Sequence, residues 1–136
     1  MKDERRMLKM EVFSYKKLQV YTKIQDWVLM VYALIKKIPK EETYALADQL
    51  RRASVSVLSN IAEGASRSSG REFGHFVEIS YGSLMEAQCQ LELANLLNYI
   101  SNSELEETNK YTIEIAKMLS GLKKSLKTNS VSNSQL

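Results

Sequence analysis

Histidine, cysteine, proline and tryptophan occur once each in this 136-residue sequence, and glycine only five times. Each scarcity excludes something. One histidine (His75) and one cysteine (Cys89) cannot supply a His/Cys metal centre, so any metal site would draw on carboxylates. A single cysteine closes no intramolecular disulfide and fits a reducing cytoplasm. So few turn-forming glycines and prolines argue against a β-rich fold. No apolar run approaches the ~18–20 residues of a membrane span. The charged opening Met1-Lys2-Asp3-Glu4-Arg5-Arg6 is not followed by the apolar stretch of a signal peptide. The expectation is one cytoplasmic domain without a membrane partner, large enough to bury a core.

A large excess of one charge is missing too. The net charge is +3, but its spread is uneven. Residues 1–71 carry 14 basic and 8 acidic side chains, whereas residues 72–136 carry 5 and 8. The basic half fits an anionic partner such as RNA, held through counterion release. The alternative is that lysine and arginine merely solvate helix surfaces while complementary halves pack together.

What is present is helical periodicity, in four stretches. Val20, Ile24, Trp27, Val28, Val31, Leu34, Ile35 and Ile38 recur at helical spacing over residues 18–38, and Pro39 stops that helix. A second helix is expected over residues 44–67, with Leu46, Leu50, Ala53, Ser54, Val57 and Ile61 on its core face and Gly64 near its end as a C-terminal cap or break. Ser69-Gly70-Arg71-Glu72 reads as a capping box opening a third helix over residues 71–98. Its main stripe is Phe73, Phe76, Val77, Leu84, Ala87, Leu91 and Ala94. A second apolar set, Ile79, Leu93, Leu97 and Ile100, lies on another side and predicts burial against more than the chain's own bundle. Ser103-Glu104-Leu105-Glu106 reads as the capping box of a fourth helix, striped by Ile115, Met118, Leu119, Leu122 and Leu126. Short connections favour an all-α, antiparallel up-down four-helix bundle over residues 15–127. A flexible N-terminal extension (1–14) and a Ser/Asn-rich disordered tail (128–136) are expected around it.

Catalytic apparatus is thin. Glu72-Phe73-Gly74-His75 has the Glu-x-x-His spacing of di-iron bundles but occurs once, without its second copy. Cys89 has no second thiol and is expected to serve as a small buried hydrophobe. Ala62-Glu63-Gly64-Ala65 is no phosphate-cradling loop. No catalytic residue, metal, cofactor or small-molecule substrate is expected.

The second helix does carry an unusual face. Arg52, Ser56, Ser59, Asn60, Glu63 and Arg67 fall within an arc of about 100°, at ~100° per residue. Serine and asparagine are mediocre mid-helix residues, so a merely solvated face would be cheaper to build from Lys, Glu and Gln. Ser83, Glu86 and Gln90 share one side of the third helix. Ser56, Asn60, Glu63, Ser83, Glu86 and Gln90 are therefore expected to satisfy one another as a structural polar network, within the bundle or across a subunit contact. A solvated face and a direct ligand site are the alternatives. Arg51, Arg52, Arg67 and Arg71 are the candidate phosphate contacts, because arginine offers a planar fork of donors. Of these, Arg52 is the one most open to capture by Glu63 or Glu86.

The run from Asp48 to Gly64, Asp-Gln-Leu-Arg-Arg-Ala-Ser-Val-Ser-Val-Leu-Ser-Asn-Ile-Ala-Glu-Gly, resembles the signature of the bacterial 23S rRNA intervening-sequence proteins. The likeness continues through Arg67, Ser68, Glu72, Phe73, Phe76 and Gly82-Ser83-Leu84-Met85-Glu86, and covers roughly residues 13–100. It implies an up-down four-helix bundle that assembles as a homo-oligomeric ring, typically a pentamer, with a nucleic-acid-binding role. A distant relative of that family, the accessory protein of diversity-generating retroelements, is a basic ring that engages RNA and a reverse transcriptase. This sequence departs from the pattern in having Leu58 where proline is common, and Gln88 and Cys89 where an acidic residue and threonine are usual. The function expected is non-catalytic binding of RNA or DNA by an oligomer. The rivals are a protein-binding scaffold that docks a partner through apolar grooves, and an enzyme.

Overall fold

The computed structural model describes Tyr15 and residues 18–134, with side chains as far as Lys127. The expected N-terminal extension, residues 1–14, lies outside the described residues. Four α-helices follow one another: α1 (Gln19–Ile35), α2 (Leu46–Ala65), α3 (Gly70–Leu96) and α4 (Asn102–Ser134). A single turn of 3-10 helix at Lys40–Glu42 sits between the first two.

Periodicity decides which face each helix buries. Val20, Tyr21, Ile24, Trp27, Val31, Leu34 and Ile35 line the inside of α1. After Ile35 the helix tightens, with Lys37 N–H bonding Leu34 O and Ile38 N–H bonding Ile35 O. Pro39 then turns the backbone to extended geometry. The helix ends three residues before the predicted Ile38, yet that residue stays in the core. Leu46, Ala47, Leu50, Ala53, Ser54, Val57, Ile61 and Gly64 form the buried face of α2. Leu84, Ala87, Leu91 and Ala94 do the same for α3, and Ile115 and Leu119 for α4. The buried threonines of α4 satisfy themselves locally: Thr108 Oγ1 donates to Leu105 O at 2.9 Å and Thr112 Oγ1 to Thr108 O at 3.1 Å.

Among the described residues the backbones lie close for α1–α2, α2–α3, α3–α4 and α1–α4, and for neither diagonal pair. The arrangement is the expected antiparallel up-down bundle. Its two ends are therefore chemically distinct. One carries the α1–α2 and α3–α4 connections; the other carries the start of α1, the α2–α3 turn and the late turns of α4.

Several boundaries differ from the sequence expectation. The capping box of α4 is Ser101–Glu104, not Ser103–Glu106: Glu104 N–H bonds Ser101 Oγ at 3.1 Å and Ser101 N–H bonds Glu104 Oε1 at 2.8 Å. Gly64 does not cap α2 and does not adopt positive φ. A Cβ there would lie 2.7 Å from Phe76 Cβ and 2.9 Å from Phe73 Cδ1, so glycine permits the close approach of α2 to α3. Among the described residues the left-handed one is Asn98, at φ 64°. Asn98 N–H bonds Asn95 O and Tyr99 N–H bonds Ala94 O, a Schellman ending for α3. That reversal tucks Ile100 into the core, at 4% exposure, away from the outer face predicted for it. The backbone of α4 is helical to Ser134. Propagation of a helix needs only one further backbone bond per residue, and serine and asparagine weaken this without abolishing it.

Candidate nucleic-acid interface

The polar residues of α2 and α3 fall into three separate groups, of which only the first joins the two helices. Ser56 Oγ and Ser83 Oγ lie 2.8 Å apart, and Asn60 Nδ2 donates to both Ser56 Oγ (3.0 Å) and Ser56 O (2.9 Å). Glu63 is occupied by Arg67, whose Nη2 sits 2.8 Å from Oε1. Glu86 and Gln90 make only a long contact of 3.5 Å along α3. Gln90 is buried, and its Oε1 has no hydrogen-bond partner among the described residues. The predicted six-residue network is thus a Ser56–Asn60–Ser83 junction flanked by two local pairs. Ser80, which sequence reasoning passed over, makes the best-buried link: its Oγ donates to Val57 O at 2.7 Å. Its position in the Val77–Ser80–Leu84 core spacing was the available signal.

The four arginines do not form one patch. Arg51 and Arg52 both turn to Asp48, at 3.6 and 3.0 Å, so Arg52 is engaged by neither Glu63 nor Glu86. They flank an open groove that also includes Tyr32, Val55, Ser56 and Ser59. Arg67 lies fifteen residues further along, roughly 22 Å at the helical rise. Its guanidinium covers the Phe76 ring, 4.7 Å from the centroid. Arg71, in the first turn of α3, makes no ion pair among the described residues and borders His75 and Phe76.

Beside Arg71 the late turns of α4 bring in two cations that sequence reasoning missed. Arg71, His75 and Glu78 of α3 face Lys123, Leu126 and Lys127 of α4 across a cleft of about 370 Å³, floored by Gly70 and Gly74. Lys123 pairs with Glu78. Hydrogen bonding and charge from Lys123 hold the Glu78 carboxyl below the usual glutamate range, and the charges of His75 and Lys127 act in the same direction. The i, i+4 spacing of Lys123 and Lys127 is visible in sequence. Their neighbourhood with Arg71 follows only from the up-down topology.

No three His, Cys, Asp or Glu side chains come together as a metal site among the described residues. His75 is exposed. Cys89 is exposed as well, against the expectation of burial, because Ala87 and Leu91 take the inward positions on that part of α3.

The second apolar set of α3 is real for three of its four members. Ile79 (39% exposed), Leu93 (45%) and Leu97 (44%) point away from the bundle, with Leu96 and Met85 alongside. Among the described residues no helix is long and apolar enough to cross a membrane.

Comparison with known proteins agrees with this architecture. A solved structure of a protein of unknown function from the S23 ribosomal protein family of Bacteroides thetaiotaomicron VPI-5482 superposes with a TM-score of 0.71. It is 24% identical, and the match covers 77% of this chain and 98% of that one, which establishes likeness of fold. No curated protein matches. The family model described as 23S rRNA-intervening sequence protein matches residues 16–121, and the chain belongs to that family.

Proposed function

We propose that this chain works as a homo-oligomer, a ring of copies with five as the expected number, which binds RNA electrostatically in the cytoplasm and catalyses no reaction. The observation that carries this reading is the gathering of Arg67, Arg71, Lys123 and Lys127 at one end of the bundle from segments fifty residues apart. Glu63 and Glu78 offset two of those charges. The remainder is modest for one chain and grows with every copy in an assembly, and binding to a polyanion scales with the phosphates neutralised together. The outer face of α3 supports the assembly: Ile79, Leu93 and Leu97 are large, apolar and uncovered in the single chain.

Anisotropy of a labelled structured RNA across a salt series tests the binding. Affinity should fall steeply with salt, and Arg67→Ala with Arg71→Ala should weaken it and flatten the slope. Absence of binding at low salt refutes it. That result would favour a second reading, a scaffold whose exposed α3 face docks a protein partner. Sedimentation at micromolar concentration tests the ring, which a clean monomer would refute.

A further inference from the structure

The cleft between the first turns of α3 and the late turns of α4 has features that a generally basic surface does not need. Gly70 and Gly74, four residues apart on one side of α3, line it and carry no side chains. A Cβ built on Gly74 meets nothing within 4 Å. Its volume of about 370 Å³ is well beyond a bare ion and lies at the lower end of the range for small-ligand sites. Its walls are chemically divided. Leu126 supplies an apolar surface, Lys123 and Glu78 neutralise each other, and Arg71 and Lys127 make no ion pair among the described residues.

From this division we propose that the cleft holds one nucleotide unit of a bound strand. The phosphate sits between Arg71 and Lys127, and the sugar or base lies against Leu126. Arg71 offers the two-pronged donor that matches a phosphate's oxygens, and Lys127 adds a point charge from the opposite wall. With Lys123 committed to Glu78, the two remaining cations of the cleft match a single phosphate, so the site takes a monophosphate. This assignment rests on the RNA-binding reading for its biological ligand, but the site's chemistry can be tested apart from it.

Three variants of the full chain separate the cleft from the surface around it. Gly74→Leu fills the cleft without altering charge, and leucine is the better helix former, so the fold is expected to hold. Arg71→Gln with Lys127→Gln removes the two cations and leaves the space. Arg51→Gln with Arg52→Gln alters charge roughly 20 Å or more away along α2. Structured RNA and uridine 5′-monophosphate are the two probes, the second followed through the amide signals of Gly74 and His75. The expected result is at least a tenfold loss of RNA affinity for the first two variants, far less for the third, and monophosphate shifts that disappear in Gly74→Leu. If wild type binds RNA and Gly74→Leu binds equally well, the cleft is overturned while RNA binding stands. Should wild type bind no RNA yet show the monophosphate shifts, the cleft is upheld and the RNA reading fails. Absence of both signals overturns the cleft.

Discussion

Gly64→Ala should destabilise the bundle even though alanine is the better helix former. In an open helix the exchange gains about 0.8–1 kcal/mol. At Gly64 the new methyl would lie 2.7 Å from Phe76 Cβ and 2.9 Å from Phe73 Cδ1. Carbon atoms normally rest ~3.5–4.0 Å apart. The Phe73 ring can swing aside, but Phe76 Cβ is fixed to the α3 backbone and moves only with it. Relief therefore requires α2 and α3 to part locally by roughly 1 Å, and overpacking of this kind costs about 1–3 kcal/mol. After the propensity gain is subtracted, the net loss should be on the order of 1 kcal/mol and no more than about 2.

Gly74→Ala is the matched control. Both glycines are helical, but nothing lies within 4 Å of the second one's missing methyl. It should keep its propensity gain of up to ~1 kcal/mol, so the two variants should move stability in opposite directions. Urea unfolding followed by far-UV circular dichroism, at one fixed protein concentration because assembly couples to stability, reads the difference. With a mid-range slope of about 2 kcal/mol per molar urea, the two midpoints should separate by roughly 0.5–1.5 M. A Gly64→Ala midpoint equal to or above wild type would show that the helices yield freely, and would refute the close-approach account.

Ser80→Ala deletes the 2.7 Å bond to Val57 O and should cost about 1 kcal/mol by the same urea assay; an unchanged midpoint would mean the bond contributes nothing. Acid should also weaken the fold, through Glu104. The Lys37 ammonium first, and the Ser101 N–H second, hold its carboxyl below the usual range. With a depressed folded pKa, this stabilisation is present above the unfolded value of about 4.3 and disappears as pH falls through the folded one. Glu104→Gln should accordingly lose less stability than wild type between pH 6 and pH 3, and identical losses would contradict the assignment.

The core was legible because burial follows spacing. Ile24, Trp27, Val31, Leu50, Val57, Ile61, Leu84, Leu91, Ile115 and Leu119 all lie inside, where helical periodicity puts them. The start of α4 was not, because Ser101-x-x-Glu104 and Ser103-x-x-Glu106 both fit a capping box. Tertiary structure favours the first. Ile100 is drawn into the core just before it, and Lys37 from the α1–α2 connection reaches Glu104. Gly64 illustrates a second kind of ambiguity. A glycine near a helix end serves either a left-handed cap or a close approach, and only the position of Phe76 decides between them. The candidate site was the least legible part. Arginines on one helix can be ranked by their local partners. That Arg71 faces Lys127 depends on the α3–α4 reversal and on the matched lengths of the two helices, and no local spacing encodes that.

The location of the two surfaces bears on how an assembly would work. Arg71 and Leu93 are both on α3 but twenty-two residues apart, about 33 Å at the helical rise. Contact through Leu93 and Leu97 would leave the basic end uncovered, whereas Ile79, about 12 Å from Arg71, sits close enough to bring neighbouring basic ends near one another. In a closed cyclic ring every copy is related by the same rotation, so all basic ends fall on one rim. Each copy would then present one Arg71–Lys127 cleft at a regular interval. A strand following that rim would meet a repeated set of phosphate sites, none of which needs to be strong alone. A chain with a net charge of only +3 could therefore bind a polyanion while keeping most of its surface balanced.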